Sequence, residues 1–299
     1  GDVKTGLKNL PVDMIEKLKT YDKKSDLARI TGIDDGEEET VLDLTVKKGM
    51  NQGWFGNADV AGGTEDRYMG RFMLNRFVDK TQVSVVGSAN NVNDQGFSGG
   101  GGPPRWRRNN GLTATKMLGV NFATQTDKLE LGGSARYNYQ DGDIASIGST
   151  EDFLPDGNSY SNSNSRQRNK AKNFNADFRM EWKPDSMTNI IFRPNFSYGK
   201  TDNLSNSESG TFSSDPYSLV SDPNNWLNLE KIFNPDDDPL RSIRINAINS
   251  GSLSDNKSVS TDATLQLNRK LNDKGRNVTF RGRFGYTNND NNQYTESET

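Results

Sequence analysis

The residues best equipped for chemistry sit in one run, Gly96 to Gly111, which reads GFSGGGGPPRWRRNNG. Four glycines and two prolines lead into Arg105, Trp106, Arg107 and Arg108. Guanidinium groups around an indole suit stacked bases and phosphates, and a glycine run suits a phosphate cradle. A cradle needs a helix after it and a Gly-Lys-Ser/Thr triplet. Here the next segment has strand character, and no such triplet follows the glycines. The chain sets 37 basic against 40 acidic residues, a formal charge of -3. That leaves no basic footprint, so no nucleic-acid partner is expected. What remains is an exposed loop, flexible at the glycines and stiffened at Pro103–Pro104. Its Arg105, Trp106, Arg107 and Arg108 form a candidate ligand- or partner-contact cluster.

Two acidic clusters raise the question of calcium, which takes hard oxygen ligands. They are Asp236, Asp237 and Asp238 in FNPDDDPL, and the run Asp34–Thr40, DDGEEET. Contiguous carboxylates lack the alternating spacing of a calcium loop, and solvated turn chemistry explains them better. Paired carboxylates can hydrolyse glycosides, but no pair is singled out by its surroundings. Cysteine and histidine are absent. That excludes disulfides, zinc–thiolate sites, thiol nucleophiles and Ser–His–Asp triads within this chain. No enzymatic activity, cofactor or metal is expected.

These residues are carried by strands. Phe174 to Trp182 puts Phe, Ala, Phe, Met and Trp on one face, with Asn, Asp, Arg and Glu on the other. Leu129–Tyr139, Ile190–Tyr198 and Val278–Tyr286 alternate in the same way, which marks strands with one apolar and one polar face. The pattern predicts about nine strands, each of roughly ten residues, the span of a tilted bilayer-crossing strand. They cover Trp54–Gly62, Tyr68–Phe77, Gln82–Asn90, Thr113–Thr124, Leu129–Gln140, Lys172–Lys183, Thr188–Lys200, Ser258–Lys270 and Asn277–Thr287. From the second strand on, the links alternate short and long. VDKT, QTDK, PDSM and LNDKGR are short; Asn91–Leu112, Asp141–Ala171 and Thr201–Lys257 are long.

A membrane β-barrel has this asymmetry, with tight turns at one rim and long loops at the other. The apolar faces carry Tyr137, Tyr139, Trp182, Tyr198 and Tyr286 near strand ends, where aromatic girdles sit. The polar faces carry Arg136, Asp177, Arg179, Glu181, Arg193, Arg281 and Arg283, too many charges for a dry core. Only 31% of residues are hydrophobic and the mean hydropathy is -0.88. Adding glycine brings the apolar share to roughly 40%, below the 45–50% of a soluble globule. The predicted architecture is mainly β: an antiparallel up-and-down meander forming part of a barrel over residues 50–299. A soluble antiparallel sheet with one wet face alternates in the same way and is the alternative.

Residues 1–49 read as a separate small α+β unit. Pro11 marks a first helical position, with Val12, Met14 and Ile15 as the apolar members of a short helix. Leu18–Tyr21 reads as a strand, Ser25 or Asp26 as a helix cap, and Val41–Val46 as a second strand reached through the acidic loop Ile33–Glu39.

LPVDMIEKLKTYD followed by ETVLDLTVKKG resembles the end of the plug domain of TonB-dependent outer-membrane receptors. YDKKSDLARITGIDDGEEETVLDLTVKKG is similar to the branch with a carboxypeptidase-regulatory-like domain upstream of the plug. The glycine-rich loop leading into NNGLTATKMLGVNF resembles the first long loop of that branch. The specific wording covers residues 9–140. The resemblance implies a fragment, with the plug end over 1–49 and the first part of a 22-strand barrel over 50–299. It implies nutrient uptake through the outer membrane of a Gram-negative bacterium, powered by the TonB system through a region absent here. Outer-membrane lipid and a surface lipoprotein are the implied partners, and the substrate is not named. An adhesive or structural barrel and a soluble β-rich binding module are the other readings. A nine-strand piece of a larger barrel leaves two sheet edges unpaired and is expected to self-associate, with its long loops poorly ordered.

Overall fold

A computed structural model of the chain describes residues 15–25, 28, 36, 38–46, 52–93, 111–155, 157–228, 237–272 and 276–299. The Arg105–Arg108 cluster lies outside the described residues, as do Pro11, Val12, Met14, Asp26, Asp34, Asp35, Glu37 and Asp236.

Two strands, β1 (Ile15–Lys24) and β2 (Glu38–Val46), form an antiparallel pair of their own. The register sets Lys24 opposite Glu38 and Thr20 opposite Leu42. The helix expected to include Ile15 is corrected here, because Ile15 opens β1. Pairing along the whole of β2 outweighs a weak helical propensity. Ser25 does cap: its Oγ accepts the Ala28 N–H at 3.0 Å.

The other strands are β3 (Gln52–Gly62), β4 (Tyr68–Val78), β5 (Thr81–Asn90), β6 (Leu112–Gln125), β7 (Leu129–Asp152), β8 (Ser159–Trp182), β9 (Thr188–Phe212), β10 (Arg244–Lys270) and β11 (Asn277–Glu298). They form one nine-stranded antiparallel sheet in sequence order, an up-and-down meander that does not close on itself. Every expected strand is present.

All the short turns from β4 onward meet at one end. There Lys183 donates its N–H to the Lys128 carbonyl at 2.7 Å, and Lys270 donates to that of Met187 at 2.8 Å. Lys80 pairs with Asp127 at 3.7 Å, and Arg269 with Asp185 at 2.9 Å. This is the turn end; the opposite rim is the loop end. The link between β3 and β4 is a tight loop-end turn. Glu65 and Asp66 sit there in the left-handed region, with φ 57° and 56°, as a type I′ hairpin turn requires.

The long connections are shorter than the sequence suggests. Asp141–Ala171 is mostly strand and nearly half of Thr201–Lys257 is, since β7 runs on to Asp152, β8 starts at Ser159, β9 reaches Phe212 and β10 starts at Arg244. These extensions are mostly polar, with scattered apolar residues such as Ile147, Leu204 and Leu253, too few for alternation to betray them. Their ladders hold through the backbone and through cross-strand polar pairs, such as Ser146 with Ser165 at 2.6 Å and Gln167 with Asn203 at 3.0 Å.

The segment 213–243 is ordered over its described part rather than loose. Three Asp-Pro pairs each start a turn. Asp215 accepts the Tyr217 N–H, Asp222 that of Asn224 and Asp238 that of Leu240. The turns place Leu227 and Leu240 against Phe212 at the end of β9, all three with no exposure. Asn162 on β8 and Asn164 both bond Asn224 at 2.8 Å. Asp238, read from sequence as turn chemistry, is a turn cap that also pairs with Arg244 at 2.8 Å in a buried setting.

Candidate functional site

Register decides which side chains share a face. One row runs Gly56, Leu74, Val85, Val120, Ala135, Ala176, Phe196, Thr261 and Tyr286, unbroken from β3 to β11. Its neighbours toward the turn end include Phe122, Gly133 and Phe178, then Leu131, Met180, Phe192 and Leu265, then Trp182, Ile190, Leu267 and Phe280. Tyr137, Phe174, Tyr198 and Val259 form the row toward the loop end. This is an apolar belt, broken on β4 by Arg76, whose guanidinium lies 5.1 Å from the centre of the Trp54 ring. Two of its glycines lie beneath rings: Phe72 covers Gly87, and a Cβ at Gly133 would meet Phe122 at 2.8 Å. The aromatic side chain fills the gap that glycine leaves on the pleat.

The opposite face collects the charges. Arg136, Asp177, Arg179, Glu181, Arg193, Arg281 and Arg283 all fall there by register, as expected. Arg179 bridges Glu130 at 2.8 Å and Glu181 at 2.9 Å, and Lys183 reaches Glu181 at 3.2 Å. The sequence reading missed an apolar patch on this polar face. Met73, Val86 and Met117 are buried together there, and Phe55 stacks on Phe77 at 5.3 Å. Both belong to β3–β6, where alternation is between apolar residues of different size and so is hard to see.

Burial and polarity run opposite to those of a water-soluble sheet. Buried Met73, Asn75, Val86, Asn90, Thr113, Met117, Glu181, Ile191, Gln266 and Asn268 all lie on the polar face. Trp54, Val60, Phe72, Leu118, Trp182, Phe280, Phe284 and Tyr286, all exposed, lie on the apolar face. Val60 is 89% exposed and Trp54 64%. Substantial contacts among the described elements run only between neighbouring strands, apart from the short helix Pro223–Trp226 against β8. With no second layer among the described residues, this asymmetry is what a sheet curled toward its polar face produces.

The belt crosses the sheet obliquely. Gly56 lies two residues from the belt's turn-end limit in β3, Trp54. Tyr286, in the same row, lies eight residues from the limit in β11, Val278. The drift of six residues falls between β3 and β7 and between β10 and β11; from β7 to β10 the limit Leu129, Trp182, Ile190 and Leu267 stays in one row.

Beyond the belt, the apolar face becomes charged on the strand extensions. Arg168 holds Asp141 at 3.2 Å, and Arg166 holds Asp143 at 2.7 Å. Those guanidinium hydrogen bonds keep both carboxyls below the usual carboxylate range. A depressed pKa contributes stability that is complete above the ordinary value of about 3.9 and is lost as pH falls through the lowered one. Backbone hydrogen exchange in 141–152 and 159–170 is therefore expected to keep its protection from pH 7 to 5 and to lose a small part of it below about pH 4, since both ion pairs are largely exposed. Loss of protection between 7 and 5 would refute this account of the hairpin.

Among the described residues no cluster of acids suited to a metal ion is formed, and no helix is long and apolar enough to cross a membrane, which says nothing of strands. No protein-family model matches the chain, and no curated protein matches it.

Proposed function

We propose that this chain is part of a TonB-dependent outer-membrane receptor, with residues 1–49 as the end of the plug and 50–299 as the first part of the barrel. One observation carries the proposal: across the belt the large exposed side chains of the nine-stranded sheet are on the apolar face and its buried side chains on the polar face, while Asn162, Phe212 and Ala247, buried on the other face, stand beyond the belt on the strand extensions. An uncovered apolar face needs an apolar medium. Lipid supplies one, with a wet interior behind the sheet. The dimensions support the reading. The belt spans nine residues in β8 and in β9, about 27 Å of strand at about 3.4 Å per residue. That length compares with the roughly 25 Å apolar band of outer-membrane barrels. Tyr137, Tyr198 and Tyr286 mark one margin, and Trp54 and Trp182 the other.

In this reading the charged face, with its Glu130–Arg179–Glu181 network, lines the lumen and meets the plug. The plug moves when energy arrives through the TonB system, as the resemblance implies, and nothing is catalysed. The test is solution behaviour at micromolar concentration. The chain is expected to self-associate in water and to become monodisperse in detergent, by light scattering and sedimentation. A detergent-free monomer with a cooperative melt would identify a complete soluble domain and end the membrane reading.

A further inference from the structure

Immediately beyond the apolar belt, toward the loop end, the apolar face changes to lysine. On β6, β8, β9 and β10 the next residue of that face after Leu118, Phe174, Tyr198 and Val259 is Lys116, Lys172, Lys200 and Lys257. Tyr139 fills the place on β7, with the Lys116 ammonium 6.0 Å from its ring centre. Lys172 sits directly opposite Lys200, and Lys200 directly opposite Lys257. Like charges paired across strands are destabilising, so three adjacent lysines call for a counter-charge.

The protein supplies part of one. Lys200 reaches Asp255 at 3.0 Å and Asp202 at 3.4 Å, and Asp290 on β11 stands directly opposite Lys257. The nearby acids Asp141 and Asp143 are engaged by Arg168 and Arg166. Lys116, Lys172 and Lys257 are exposed and form no ion pair within 4 Å with described residues. Tyrosines below and lysines above are the arrangement of a membrane–water interface, where rings sit at headgroup depth and ammonium groups reach outward.

We infer that Lys116, Lys172, Lys200 and Lys257 form a headgroup-binding row, which takes the phosphates of anionic lipid in the leaflet facing the loop end. The inference rests on the membrane reading above. The row stands one step of the pleat, about 7 Å, beyond the last apolar side chains. That is the depth at which phosphates begin. Neighbouring lysines about 4.8 Å apart can share one phosphate, which relieves the repulsion between them.

The 299-residue chain is to be floated with vesicles of phosphatidylcholine alone and with vesicles that also contain phosphatidylglycerol, at low and high salt. The expected result is binding to both, with a stronger, salt-sensitive component on the anionic vesicles. The double variant Lys172→Gln/Lys257→Gln should cut that component on the order of tenfold, at about one anionic-surface contact per lysine, and leave binding to neutral vesicles unchanged. Lys23→Gln/Lys24→Gln, remote from the row in sequence and sheet, controls for charge alone. Equal binding to both vesicle types, or an anionic component untouched by the Lys172/Lys257 variant, would overturn the inference while the membrane reading stands. Binding to neither vesicle would remove both.

Discussion

Arginine at Phe178 is expected to destabilise the lipid-embedded chain by about 2–4 kcal/mol, the cost of a cation at the bilayer midplane on a barrel's outer face. Phe178 is the middle member of the β8 series Phe174, Ala176, Phe178, Met180 and Trp182. Its ring centre lies 6.1 Å from that of Phe122, and Gly133 sits opposite it on β7. No polar group of the belt is there to receive a guanidinium. Asn173 offers the control. It is on the same strand, on the polar face and exposed, with no charge directly opposite it, so Asn173→Arg is expected to change stability by no more than about 0.5 kcal/mol. Urea titration of both variants in lipid measures the difference. Equal costs would show that the two faces see the same medium, and the belt would then be an ordinary sheet surface.

That prediction was open to sequence reasoning because period two is visible wherever one face is apolar. From Leu129 to Tyr139 and from Phe174 to Trp182, the alternation gives the faces and nearly the strand limits. It fails where both faces are polar. SYSNSNSRQRNKAKN, Ser159 to Asn173, has only Tyr160 and Ala171 as apolar residues, on opposite faces, so nothing sets a phase, yet it is more than half of β8. There the backbone ladder itself extends the strand, because β7 and β9 run beside it. The N-terminal unit fails for another reason. Val12, Met14 and Ile15 suit a helix as well as a strand, and only pairing with β2 assigns Ile15 to a strand. The lysine row was hidden in a third way. Its members are 56, 28 and 57 residues apart in sequence, and only register brings them side by side.

Phe212→Ala is expected to release the segment that caps β8 and β9, with a local cost of about 3–5 kcal/mol for loss of a fully buried ring. Phe212 ends β9 and has no exposure, and Leu227 and Leu240 close over it, equally buried. Val220, Trp226 and Ile243 pack at the margin, and the Arg244 guanidinium lies 5.5 Å from the ring centre. The cluster is small, so one ring is a large share of it. The Asp-Pro turns set local direction, but a short helix of three or four residues has little stability without packing. Removing the ring should therefore free 213–228 as a unit. Asn224 would give up its bonds to Asn162 and Asn164, and hydrogen exchange and proteolysis would rise there and not in the belt strands. Phe212→Leu keeps most of the volume and is expected to cost less than about 1.5 kcal/mol. Unchanged protection of 213–228 in Phe212→Ala would mean that the asparagine bonds hold the segment without the apolar cluster. The belt offers a contrast in kind: its rings face outward and depend on the surrounding medium, whereas Phe212 is enclosed by the chain itself, so loss at Phe212 should be the same in detergent and in lipid.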